Sequence, residues 1–151
     1  MAQSDLSGQV LAYIEAVNRH DWDAAAELLS PNVLLVDYSL GGTLHGREAW
    51  VARFKPFTEA FPDGRLEQTW AVTEGRRLAH EVVARGTHTG PLPLPTGETM
   101  PATGRSIEVH FAGIWEAEDE QLVTEAHYYA NPMELLTQLG MTATEAGVSA
   151  T

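Results

Sequence analysis

The feature that most constrains this chain is a change of hydrophobic period halfway along it. Up to Phe61 the large apolar residues recur at helical spacing, and from Leu66 onward they alternate. Leu6, Val10, Ile14 and Val17 mark an amphipathic helix over 4–17, with Ser4 as its N-cap. Asp21 caps a short second helix through Trp22, Ala25 and Leu29 that ends at Ser30-Pro31, so the two form an αα-hairpin. The run 33–36 is too short and too β-branched for a helix and reads as a strand ending in Asp37-Tyr38. Gly41-Gly42 turns the chain into a brief return strand at 43–45. Trp50, Phe54, Phe57 and Phe61 then line one side of a third helix over 46–61, which Pro56 should kink and Pro62-Asp63-Gly64 stops.

The second half is read as β. Leu66, Gln68, Trp70 and Val72 alternate, Glu74-Gly75 turns the chain, and 78–85 returns. A Gly/Pro/Thr-rich stretch over 86–105 is read as a long inter-strand loop, and such loops in compact domains often serve function. Ile107, Val109, Phe111 and Trp115 alternate next, the acidic run 116–120 turns the chain, and 122–130 is the last strand. A helix over 132–140 closes the domain. The whole is one domain over 1–140, followed by a tail, 141–151, expected to be disordered. Helices first and strands second is the α+β order: N-terminal helices packed on a strongly curved, mostly antiparallel sheet. Such a sheet can close as a cone whose open end makes a pocket.

Composition narrows the chemistry. The chain has 151 residues and no cysteine, which excludes disulfides, thiolate metal sites and cysteine nucleophiles. Its net charge of -12, from 9 Lys+Arg against 21 Asp+Glu, opposes binding to nucleic acid or anionic lipid, so neither is expected as a partner. The apolar runs are too short to span a membrane and the N-terminus lacks a signal peptide, so the reading is a soluble, cytoplasmic domain. The histidines show no metal-ligand spacing and no phosphate loop is present, so neither metal nor cofactor is expected.

Four motifs in order carry a resemblance: Gly46-Arg47-Glu48-Ala49; Phe61-Pro62-Asp63; Gly86-Thr87-His88-Thr89-Gly90 with Pro101-Ala102-Thr103-Gly104-Arg105; and Leu135-Leu136-Thr137-Gln138-Leu139-Gly140. Together they resemble the SnoaL-like polyketide cyclases of the nuclear transport factor 2-like superfamily. The resemblance implies a cone-shaped α+β fold with a deep apolar pocket, a homodimer packed through the sheet, and cofactor-free chemistry on a hydrophobic, polyketide-like small molecule. It also implies a catalytic Asp at the end of the last strand, seven residues before the Gln of the last motif. Counting back from Gln138, that position holds Asn131.

An aldol closure needs a base to take a proton alpha to a carbonyl and a donor for the enolate oxygen. An amide can be the donor and cannot be the base. Three readings follow. Another base serves, drawn from Asp37, Glu125, His127, His88 and His110, with Tyr129 and Asn131 as donors; alternation places His127, Tyr129 and Asn131 on one face of the last strand. Alternatively, positioning and hydrogen bonding suffice for a reactive substrate. Or the domain only binds. An epoxide-opening or hydroxylating relative is a further alternative. Asn131 also precedes Pro132 at the start of a helix, where an N-cap is the ordinary role. His88 is most simply a loop anchor, and His110 is placed facing water or a partner subunit. Trp50, Phe54, Phe57, Trp70, Phe111 and Trp115 are expected in the core, some of them lining the pocket against an aromatic or polyene substrate.

Overall fold

The computed structural model describes residues 6–94, 96–118 and 121–141, without the side chains of 121 and 123–127. The expected Ser4 cap, the tip of the acidic turn and the tail from 142 onward lie outside these residues, as do the side chains of Glu125 and His127. The elements are α1 (Leu6–Asn18), α2 (Trp22–Glu27), β1 (Leu29–Asp37), β2 (Thr43–His45), α3 (Arg47–Ala60), β3 (Arg65–Glu74), β4 (Arg77–Thr87), β5 (Leu92–Pro93), β6 (Thr99–Met100), β7 (Ser106–Glu118), β8 (Gln121–Ala130) and α4 (Pro132–Gln138). The fold is α+β. Six strands form one sheet in the order β2-β1-β8-β7-β4-β3, and β5 and β6 form a separate small hairpin. All neighbours in the large sheet are antiparallel except β1 and β8, which run parallel and join the two halves of the chain.

The helical period fixes which face of α1 is covered. Leu6, Val10, Tyr13, Ile14 and Val17 are buried against Trp50 of α3 and Leu35, Leu78, Trp115 and Leu122 of the sheet. Each such side chain contributes roughly 1.5–3 kcal/mol of burial. Trp50 keeps its polar atom satisfied at depth by donating its indole N–H to the Tyr13 hydroxyl at 2.7 Å. Asp21 caps α2 as expected, accepting the Ala24 amide at 3.0 Å. The helix stops earlier than the sequence suggests, because β1 begins at Leu29. Pro31 is tolerated inside β1 because it lies in the register break between Leu29 and Leu34, where no ladder bond is lost.

A bulge corrects the alternation read in β3. Gln68 pairs with Val82 while Trp70 pairs with Glu81, so one extra residue is inserted and parity reverses. Trp70 and Val72 therefore lie on the outer face of the sheet, 53% and 51% exposed, and Trp70 does not reach the interior.

The glycine- and threonine-rich stretch is not an open loop. It holds β5 and β6 and clamps the end of α3 to the end of β4. Thr87 gives its amide (2.7 Å) and hydroxyl (2.8 Å) to Asp63, and these two donors hold that carboxyl below its usual range. The amides of Thr89 and Gly90 bond the Ala60 carbonyl at 3.1 and 3.0 Å. Gly90 is pressed so closely on α3 that a Cβ there would overlap the Glu59 carbonyl oxygen. His88 is fully buried; its Nδ1 accepts the Thr103 amide at 3.2 Å, and its own backbone pairs with Arg105 and Gly104. Burial pushes its pKa below the ordinary imidazole value, with the Gly90 carbonyl acting the other way.

The last motif is also architectural. The Gln138 amide accepts the Glu108 N–H at 2.7 Å and donates to the Glu108 carbonyl at 2.8 Å, clasping α4 onto β7. Gly140, at φ +88°, ends that turn in the left-handed conformation open to glycine.

Candidate active site

Between the helices and the concave face of the sheet lies a cavity of about 230 Å³. Its wall is a run of touching rings. Tyr13 and Trp115 lie 5.2 Å apart, Phe54 and Tyr128 6.0 Å, and Phe111 and Tyr128 5.0 Å, with Phe57 and Phe61 of α3 completing the lining. Leu66, Val82, Ala84, Ile107 and Val109 supply the aliphatic part. The inner positions follow from pairing, since residues opposite each other in a ladder share a face. Val82 faces Phe111, Ala84 faces Val109, and Leu78 faces Trp115.

Asn131, Ser39 and Arg53 form one polar corner of the lining, joined through Ala130 and Asp37. Asn131 is both the N-cap and a cavity residue. Its Oδ1 accepts the Met133 amide at 3.0 Å, and with Pro132 beginning α4 this fixes the amide plane. The cap occupies the oxygen and leaves the Nδ2 donors without an acceptor among the described residues. Ser39 Oγ takes the Ala130 amide, next to Asn131, at 2.6 Å. Asp37 lies behind this corner, nearly buried. Its Oδ1 accepts the amides of Ser39 and Leu40 at 2.7 and 3.2 Å, and its Oδ2 pairs with Arg53 Nη2 at 3.1 Å. No Asp or Glu lines the cavity among the described residues.

His80 lies deeper in the wall, 3% exposed. The Trp115 indole can only donate, so its 3.2 Å contact makes His80 Nε2 an acceptor and places the ring proton on Nδ1, which donates to Gln68 Oε1 at 2.9 Å. Burial lowers its pKa from 6.5 to about 4, so the imidazole is neutral at pH 7 with both nitrogens engaged.

The expected site residues separate. Phe54, Phe57, Phe111, Trp115 and Asn131 line the cavity. Trp50 stands behind the lining, in the core. Tyr129 is on the outer face opposite Ala112, 51% exposed and stacked on Tyr38, while Tyr128 and Ala130 turn inward. Parity counted back from Asn131 fails because the strand ends at Ala130 and Asn131, as the cap of α4, has already left its alternation. His110 stands at the cavity edge, its side chain 59% exposed and its Nδ1 2.7 Å from Glu134 Oε1. His88 belongs to the loop clamp and is not in the lining. No cluster of three metal-ligating side chains occurs among the described residues, and no helix among them is long and apolar enough to cross a membrane.

Two cavity residues carry no motif. His80 shares the inner face of β4 with Leu78 and Val82, so its signal is an imidazole at an apolar-parity position. Arg53 sits three residues after Trp50 and four before Phe57, a cation at helical spacing within an aromatic stripe.

Residues 10–125 match the model of the SnoaL-like domain family. A comparison with curated proteins finds no significant match. Among solved structures, the chain is similar to IdmH of Streptomyces antibioticus, a candidate polyketide cyclase, at 26% identity and a TM-score of 0.75, covering 90% of this chain and 99% of that one. It is similar to a candidate polyketide cyclase of Xanthomonas campestris pv. campestris at 28% identity and a TM-score of 0.71, over 92% and 99% of the two chains. AclR of Streptomyces galilaeus, a candidate hydroxylase, shares the fold at 24% identity and a TM-score of 0.74, over 91% and 86%.

Proposed function

Because the chain belongs to the SnoaL-like domain family, we propose that it is a cofactor-free cyclase or isomerase for a hydrophobic, polyketide-like substrate, working by enclosure and hydrogen bonding. The observation that carries this reading is an aromatic cavity ending on an amide whose oxygen is consumed by a helix cap and whose N–H₂ is left to donate. A carbonyl oxygen placed there would gain negative charge as a ring closes, and a fixed donor stabilises that charge without reorganising. The apolar wall folds a flexible chain into a reactive shape, which lowers the barrier by removing motions that solution leaves open. His80, neutral and doubly bonded, shapes the wall.

A second reading keeps a general base. His110 is oriented by Glu134 at the cavity edge, the pairing by which a carboxylate fixes an imidazole for proton transfer. We also propose that a second copy packs on the outer sheet face, where Trp70, Val72 and Tyr129 are exposed.

Incubation with linear poly-β-keto esters bearing an aryl group, followed by liquid chromatography and mass spectrometry, tests the activity. Ring closure gives a product isomeric with the substrate or lighter by one water. Asn131→Ala should slow formation about 100-fold, the loss typical of one oxyanion donor. Asn131→Ser, which keeps a cap but not the amide N–H₂, should be equally slow. A His110→Gln loss with Asn131→Ala unaffected would instead select the general-base reading. No rate above buffer with substrates that bind would leave a carrier domain.

A further inference from the structure

We propose that Arg53 is the anion receptor of the cavity, and that the ligand carries an acidic oxygen head, a carboxylate or an enolised β-dicarbonyl, on an apolar body. This rests on the cavity being the ligand site and adds the charge class of what enters it.

Arg53 lines the cavity yet is only 24% exposed, and a single Nη2 contact is made to Asp37. Its other N–H groups have no acceptor among the described residues. The guanidinium carbon lies 5.1 Å from the Phe54 centroid and 5.6 Å from that of Phe57, so both rings fix its position. Asp37 is itself held by the Ser39 and Leu40 amides, and Ser39 ties the corner to the strand end beside Asn131. The fork is therefore oriented before any ligand arrives, and little side-chain entropy remains to be lost on binding.

The charge distribution points the same way. In a chain with 21 Asp+Glu and 9 Lys+Arg, the cavity lining contains Arg53, Arg65 and Arg85 and no Asp or Glu among the described residues. Arg85 is occupied by Glu67 and Glu108 and Arg65 is solvent-exposed, which leaves Arg53 as the partly buried guanidinium that can meet an anion beside the aromatic wall. Stability alone does not require the pair: a buried ion pair is commonly no better than apolar side chains of the same volume. Donors left unpaired toward a cavity fit a binding role better than a structural strut.

Tryptophan fluorescence, reporting from Trp22 and Trp115 in the lining, can follow titration with 4-phenylbutanoate and with its methyl ester at pH 7.5. The acid should bind at least tenfold tighter than the ester. Arg53→Gln should reduce the acid to the ester's affinity and leave the ester unchanged, while Arg53→Lys keeps part of the preference. If Arg53→Gln does not fold because Asp37 loses its partner, the Asp37→Asn/Arg53→Gln double variant removes both charges and should show the same loss. Equal binding of acid and ester by the wild-type protein overturns the proposal while leaving the cavity as the ligand site. So does a preference that survives in a folded Arg53 variant. If neither compound binds, the cavity reading falls and the Arg53 assignment with it.

Discussion

His80 makes the stability of this protein depend on pH in a window that can be stated in advance. In the fold its pKa is lowered to about 4 by burial, whereas an unfolded chain would titrate at 6.5. Above pH 6.5 the ring is neutral in both states and the difference is silent. As pH falls from 6.5 to about 4 the unfolded chain takes up a proton that the folded chain refuses, so stability declines through that window and levels off below it. At about 1.4 kcal/mol per pH unit, the full loss is about 3 kcal/mol. Protonation would also force the Trp115 indole N–H and an Nε2 proton against each other across 3.2 Å. The comparison variant is His80→Gln, whose amide can accept from Trp115 and donate to Gln68 but does not titrate. Urea unfolding followed by tryptophan fluorescence at several pH values between 7.5 and 4 gives both curves, and carboxylates common to the two proteins cancel. The stability gap should narrow by about 3 kcal/mol in favour of the variant as pH falls. Parallel curves across the window would refute the reasoning.

Two other outcomes follow from the packing. Gly90→Ala should destabilise by about 1–3 kcal/mol, the usual range for forced overpacking, because the added carbon meets the Glu59 carbonyl; thermal melts check it, and an unchanged midpoint would mean the clamp is not tight. On the proposed packing of a second copy against the outer face, Trp70→Glu should leave a monomer in light scattering where the wild type is a dimer, with no loss of fold stability, since the side chain is 53% exposed; a wild-type monomer would refute that packing.

Periodicity in the sequence determined the element types, the α+β order and the aromatic side of α3, because burial of one face imposes a 3.6 or 2 repeat on any chain. The motifs determined the family, yet most of their residues prove to hold the architecture: Asp63 with Thr87, His88 with Thr103, Gln138 with the Glu108 backbone. The loop-anchor role read for His88 in the sequence is the one its contacts show, and its neighbours in space supply what the sequence could not, the Thr103 amide it holds.

What the tertiary structure alone decided is which side chains meet. A single-residue bulge at Gln68–Trp70 reverses parity and carries Trp70 outward, and the end of β8 at Ala130 takes Asn131 out of the strand's alternation, so that Tyr129 faces outward while Tyr128 and Ala130 face in. No residue type announces such a bulge, because the extra residue is accommodated by curvature that the whole sheet must share. Likewise Asp37 and Arg53 are sixteen positions apart in the sequence and meet only because β1 and α3 pack together. Local repeats are written along the chain; contacts between distant segments arise from how those segments stack, and the polar corner of the cavity is made of such contacts.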